Sequence, residues 1–407
     1  MKREVRVIHR TAFQRPSEAM KILGTRTCSR GKSLLTHGGR RELSSTATRH
    51  ITTTTPRANI PQSGHSLLHT RRLLAISGPD ALRYLQGALT ANIEANTSRA
   101  FFAAFLTAQG RLLHDVFIYP YAQNEKILNG HQAWLIEVDS NQAENLAKRI
   151  KRYRLRSKFD LRVLPSSEMK VWSVWNESVE NTQDNPLSSV DRGALYAHEV
   201  ASCIDRRAPG MGHRLLLPGN MKPIVDSNEC SESVYRVRRY MRGVPEGQDE
   251  LTSEQALPQE SNIDIMGGID YRKGCYLGQE LTIRTHHTGV VRKRILPLQV
   301  YGVNETEPLE MVYDPLQNFN SESIPINTNI LPCEKKGRSA GKWKAGIGNV
   351  GLGLCRLSTM TNATEKDEVS NYQVGDEFSL SWFHEESSKN SVKVKAFVPL
   401  WYPNSKN

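Results

Sequence analysis

Lys273-Gly274-Cys275-Tyr276-Leu277-Gly278-Gln279-Glu280 sets one cysteine between two glycines, with an ammonium two residues before it and an amide–carboxylate pair after it. Glycine carries no Cβ, so the backbone at such positions can turn sharply and approach a ligand closely. A neighbouring ammonium favours thiolate over thiol, and thiolate is the form that attacks electrophiles or ligates metal. The same residues also describe a small cysteine packed into a tight turn. The octapeptide alone leaves both readings open.

Other chemistry-bearing stretches are weaker. Arg284-Thr285-His286-His287 follows the cysteine directly. Read as a strand, its adjacent histidines point to opposite faces, so at most one could join Cys275 at a metal. Arg149, Lys151, Arg152, Arg154, Arg156 and Lys158 form a basic run around Tyr153. Such a run suits a solvated helix end, a pocket for a polyanionic small molecule, or stacked bases. Gly346-Ile347-Gly348-Asn349-Val350-Gly351 matches a dinucleotide fingerprint literally, but lacks the preceding strand and following helix that the fingerprint needs. It reads as a turn.

The elements that must position these residues are legible in part. Ser77-Gly78-Pro79-Asp80 starts a helix with Leu82, Leu85 and Leu89 on a buried stripe. Phe101–Leu106 and Leu112–Tyr119 are apolar runs joined across Thr107-Ala108-Gln109-Gly110, a hairpin. A third strand spans Trp134–Val138. Ser140-Asn141 then caps a helix carrying Ala143, Leu146, Ala147 and Ile150. Hairpins with helices between them give an α+β fold. Short strands at Ile295–Tyr301, Gly351–Leu357, Glu377–Phe383 and Val392–Leu400 suggest a carboxy-terminal β-barrel. Polar stretches at 177–192, 246–262, 303–340, 360–373 and 385–392 read as surface insertions.

The formal charge is +12, yet residues 1–59 hold 13 Lys/Arg against 3 Asp/Glu, and residues 60–407 hold 41 against 39. The nearly neutral remainder ranks nucleic acid last among partners. The first 59 residues are Arg-, Ser- and Thr-rich and acid-poor, with Met1, Val5, Ile8 and Ala12 on one helical arc. That is the description of a mitochondrial transit peptide, and it implies the matrix. It holds no apolar run long enough for a membrane span. The six cysteines form no C-x-x-C pair, which excludes a local zinc or cluster box.

The octapeptide resembles the K-G-C-Y-x-G-Q-E signature of the YgfZ-type proteins, with every fixed position kept. Ser77-Gly78-Pro79-Asp80-Ala81, Leu85-Gln86-Gly87, Gly110-Arg111, Arg152-Tyr153-Arg154-Leu155-Arg156-Ser157-Lys158, and Gly289-Val290-Val291-Arg292-Lys293-Arg294 resemble that family too. The likeness spans roughly 67–300, with a weaker echo to 400. It implies an aminomethyltransferase-like, folate-binding α+β fold with a carboxy-terminal β-barrel. The expected divisions are 1–59 as transit peptide, 60–288 as two interleaved subdomains, and 289–407 as the barrel.

The resemblance also implies a late role in mitochondrial iron–sulfur assembly, with A-type scaffold proteins as partners and [4Fe–4S] enzymes as clients. Those clients are of the aconitase, lipoyl-synthase and radical SAM types. Cys275 would then be the functional thiolate and a shared ligand of a transient iron–sulfur cluster. Lys273, Gly274, Tyr276, Gly278, Gln279 and Glu280 would present it. Tetrahydrofolate is the cofactor the fold would take, with Asp115, Arg154 and Arg284 as its candidate contacts. Gly110-Arg111-Leu112-Leu113-His114-Asp115 keeps one acid where the glycine-cleavage aminomethyltransferase has two adjacent ones. That departure argues against a conventional enzyme, and a folate-dependent one-carbon transferase is the alternative.

Overall fold

The computed structural model describes residues 60–121, 132–177, 200–317, 319, 321–334, 338–364, 369–383 and 389–403. The chain divides into two units, Met1–Thr54 and Thr55–Asn407, and every described residue lies in the second. The transit-peptide reading therefore falls outside the described residues.

The chain enters through β1 (Ser63–Leu67), β2 (Arg71–Ser77) and α1 (Ala81–Ala88). The hairpin β3 (Phe101–Leu106) and β4 (Leu112–Pro120) follows, then β5 (Ala133–Asp139) and α2 (Ala143–Tyr153). Next come β6 (Asp160–Val163), β7 (Met169–Asn176), β8 (Ala201–Ile204), β9 (His213–Pro218) and α3 (Glu232–Met241). These strands make two antiparallel sheets, ordered β3-β4-β5-β2-β6 and β1-β7-β9-β8. A long loop then leads to α4 (Gln279–Thr288).

β10 (Lys293–Tyr301), β11 (Asn329–Pro332), β12 (Gly341–Ile347), β13 (Val350–Arg356), β14 (Phe378–Phe383) and β15 (Lys389–Ala396) close a barrel in the order β10-β13-β12-β11-β14-β15. The short helix α5 (Leu357–Met360) follows β13. Closure leaves the barrel no free edge strand. Alternation divides its residues: Leu296, Leu298, Trp343 and Cys355 fill the inside, while Ile295, Leu352 and Leu354 pack outward against the core of the α+β part. The Gly346–Gly351 stretch is the β12–β13 hairpin turn, with Ile347 opposite Val350.

Four expectations need correction. Segment 246–262 is no surface insertion: Leu251 joins the core, and Glu246, Glu250, Gln259 and Asn262 are buried because their polar groups meet buried partners. Within 303–340, β11 and the buried Ser321, Ile324 and Ile330 belong to the barrel. The last strand runs Lys389–Ala396, so it begins inside the 385–392 stretch and ends before Leu400. His286 and His287 stand on α4, not on a strand. Of 177–192, only Glu177 is described. Leu85 on α1 and Leu89 just past its end are fully buried, and Leu82 partly so.

Candidate functional site

The cysteine loop is held from both sides. Lys273 directs its ammonium at the carbonyls of Gln86, Leu89 and Ala91, at 2.7, 2.7 and 2.9 Å. These carbonyls lie at the end of α1 and just beyond it, where a helix leaves acceptors unsatisfied and favours a cation. Burial lowers the Lys273 pKa to about 8. The Leu277 amide adds a bond to Gly87 O at 3.0 Å. Lys273 thus anchors the loop to α1.

On the other side, Tyr276 is buried and donates its amide to Gln279 Oε1 at 3.1 Å. Its hydroxyl lies 2.8 Å from Thr282 Oγ1, and the Lys273 ammonium sits 5.2 Å from its ring centroid. Gly278 opens α4 at φ +81°, and a Cβ there would stand 2.2 Å from Thr107 O in the β3–β4 turn. Between these clamps Gly274, Cys275 and Leu277 are exposed. Glu280 and Arg284, one turn apart, share an exposed part of α4. His286 stacks on Tyr271, with ring centroids 3.7 Å apart.

A cavity of about 880 Å³ adjoins the loop, since Ala91 and Asp270 both line it. Its walls include Phe102, Phe117, Arg99, Arg206 and Cys203, and Arg207 joins it to a buried ionic network. There Arg71, Arg207, Arg214 and Arg239 meet Asp115, Glu137, Asp205, Glu246 and Glu250. Arg214 is the hub. It reaches Glu137 at 2.7 Å, Glu246, and the Tyr235 hydroxyl at 2.9 Å, and its guanidinium lies 4.3 Å from the Phe117 ring centroid. Burial alone would raise the Glu246 pKa, but Arg214, Arg207 and Arg239 outweigh it and hold the group well below the carboxylate range. The same contest lowers Asp205.

Asp115 apart, none of these network residues lies in a recognisable motif. The partners of Arg71 and Arg214 come from 44, 66, 77 and 32 residues away.

The three candidate folate contacts are not brought together. Asp115 is fully buried, paired with Arg71 at 3.0 Å and accepting the Gly247 amide at 3.1 Å. Arg154 donates to Phe159 O and covers that ring. Arg284 is exposed on α4, and none of the three lines the 880 Å³ cavity. These residues do not fit a folate, and no transfer step follows from them.

His114, beside Asp115, is 5 % exposed and its Nδ1 has no hydrogen-bond partner among the described residues. Burial drives its pKa down to about 4, with Asp115 opposing. An unfolded histidine titrates near 6.5. The unfolded chain therefore takes up a proton that the fold refuses, and stability falls as pH drops from 6.5 towards 4. The loss is expected to reach about 2 kcal/mol by pH 5. His114→Leu should remove that component, read as a flatter change of urea midpoint between pH 7.5 and 5. An unchanged slope in the variant would refute the assignment.

Residues 292–404 match the family model described as CAF17, C-terminal beta-barrel domain. The iron-sulfur cluster assembly factor IBA57 homolog, mitochondrial, of Coccidioides immitis (strain RS) is 44% identical over 387 residues, covering 90% of this chain and 89% of its own. The protein of the same description from Pyricularia oryzae is 46% identical over 350 residues, covering 83% of this chain and 85% of its own. Among solved structures, aminomethyltransferase T of the Bartonella henselae glycine cleavage system superposes with a TM-score of 0.54 at 11% identity, over 84% of this chain and 87% of that one. That likeness establishes the aminomethyltransferase fold. With identity above 40% sustained over most of both chains, this protein belongs to the family of mitochondrial IBA57 homologues.

Proposed function

We propose that this chain serves iron–sulfur cluster assembly in the mitochondrial matrix, offering Cys275 to a cluster shared with an A-type scaffold protein. Maturation of [4Fe–4S] clients such as aconitase-type, lipoyl-synthase-type and radical SAM enzymes is the outcome. Family membership supports the assembly role. The observation that carries the residue assignment is an exposed thiol on a loop fixed at Lys273 and at Tyr276. Thiolates are natural cluster ligands, and a single accessible one can be exchanged with a partner. Cys203 and Cys355 are buried with raised pKa values, Cys203 to about 12 through burial. They suit packing instead.

In cells lacking the native protein, Cys275→Ala is expected to abolish rescue of aconitase activity and protein lipoylation, while Cys333→Ala, also exposed, keeps it. Exposed substitutions of this kind change stability by only about 0.5 kcal/mol, so the loss would not reflect unfolding. Normal rescue by Cys275→Ala would sink a cysteine-centred role. The alternative, a folate-dependent one-carbon transferase, draws support from the fold alone, and the one acid retained at the glycine turn is committed to Arg71.

A further inference from the structure

The outer face of the barrel carries a second concentration of chemistry, on β10, β12 and β13. Lys293 on β10 lies directly opposite Arg356 on β13. Next to them on β12, Lys342 faces Leu354, and Lys344 occupies the irregularity between Trp343 and Ala345. Like charges set directly across a ladder are destabilising, so four cations on three adjacent strands need an explanation.

Among the described residues, little neutralises them. Lys293 lies 3.6 Å from Glu260, a loose pair. Arg356 donates Nε to Ser339 O at 3.1 Å, and Lys344 donates to the neutral Asn327 Oδ1 at 3.2 Å. Glu250 also faces the group, but both its oxygens are taken by Arg239 at 2.8 Å. Among the described residues, no carboxylate pairs with Lys342, Lys344 or Arg356. Lys344 is nevertheless only 8 % exposed. Burial and then Lys342 lower its pKa, with Glu260 pulling the other way. A buried ammonium whose nearest partner is an amide is costly unless a charge completes it.

These side chains surround a recess of about 260 Å³ between the barrel and segment 255–261, with Gln255 and Ser261 adding polar groups. We propose that this recess is a binding site for a phosphate-bearing small anion, held by Lys293, Lys342, Lys344 and Arg356. Ammonium and guanidinium groups converging on one small volume give the charge-assisted hydrogen bonds that phosphate oxygens accept best. A phosphate would also separate the like charges of the Lys293–Arg356 cross-strand pair. No residue of the cysteine loop lines this recess.

The test titrates the full chain with inorganic phosphate, pyrophosphate and ATP at constant ionic strength, with chloride as control, by calorimetry and thermal unfolding. Saturable binding is expected, weakened roughly a hundredfold or more in the double variant Lys342→Gln/Arg356→Gln, because two charge-assisted bonds are lost. Tighter binding of ATP than of the inorganic ions would identify a nucleotide as the source, and equal or weaker binding would identify the free oxyanion. Lys344→Met supplies a second reading: without anion it should melt no lower than the wild type, and it should lose the anion-induced rise. Two results would overturn the proposal: a rise that chloride reproduces, or phosphate binding undiminished in both variants.

Discussion

Arg214→Met is expected to destabilise the fold by about 3–5 kcal/mol, the cost of taking the central cation out of a buried ionic network. Methionine fills similar space, so packing changes little, but Glu137 and Glu246 stay buried with Arg71 and Arg207 left to balance them. Against a total stability of about 5–15 kcal/mol, that is enough to unfold much of the protein at 37 °C. The control is Arg162→Met. Arg162 meets Glu168 through two short hydrogen bonds, at 2.7 and 2.6 Å, yet its side chain is 57% exposed. Water screens that pair, and its loss should cost under about 1 kcal/mol.

Urea midpoints of the two variants therefore separate burial from distance as the source of strength. Equal midpoints would mean that the buried network contributes no more than a surface pair. The pH dependence has a definite sign. Glu246 and Asp205 have lowered pKa values in the fold. Their contribution is complete above the unfolded value near 4 and is lost as pH falls through the folded values. The gap between wild type and Arg214→Met should narrow in acid, where protonated carboxylates no longer need the guanidinium.

The contrast between the cysteine loop and this network shows what local sequence can carry. The β3–β4 hairpin, the α2 stripe and the barrel strands follow from periodicities of two and 3.6, which operate between near neighbours. The octapeptide is contiguous, so its residues arrive at the loop together. Segment 246–262 was opaque for the opposite reason. Its composition is polar, and polarity reads as surface until the partners are known. Glu246 is inside only because Arg207 and Arg214, distant in sequence, and Tyr235 are there to meet it.

Lys273 shows the same limit at short range. Its spacing to Cys275 suggested an effect on the thiol, but its ammonium goes to carbonyls 182–187 residues away. α4 was legible in retrospect. Gly278 and Gly289, both at positive φ, bracket it, and a left-handed glycine past the last turn is a common helix stop.

The two glycines flanking Cys275 are expected to respond in opposite ways, although the sequence presents them as equivalent. Gly278→Ala places a methyl 2.2 Å from Thr107 O, 3.0 Å from Leu106 Cβ and 3.1 Å from Gly110 Cα, at a φ that L-residues adopt with strain. The Thr107 and Gly110 atoms are backbone and cannot turn aside. The loop must lift from the β3–β4 turn and break the Tyr276–Gln279 bond, at a cost of roughly 3 kcal/mol. Loss of client maturation is expected with it, although the thiol itself is untouched. At Gly274 an added Cβ meets nothing within 4 Å. Gly274→Ala should leave the urea midpoint within about 0.5 kcal/mol of wild type. Under the proposed role of the loop, a residue without a Cβ beside the exposed thiol admits close approach by another molecule. Gly274→Ala is thus expected to lower aconitase activity in rescued cells while stability holds. Full activity from Gly274→Ala would show that no partner backbone comes close to the loop at that point. Full stability of Gly278→Ala would show that the β3–β4 turn does not fix it.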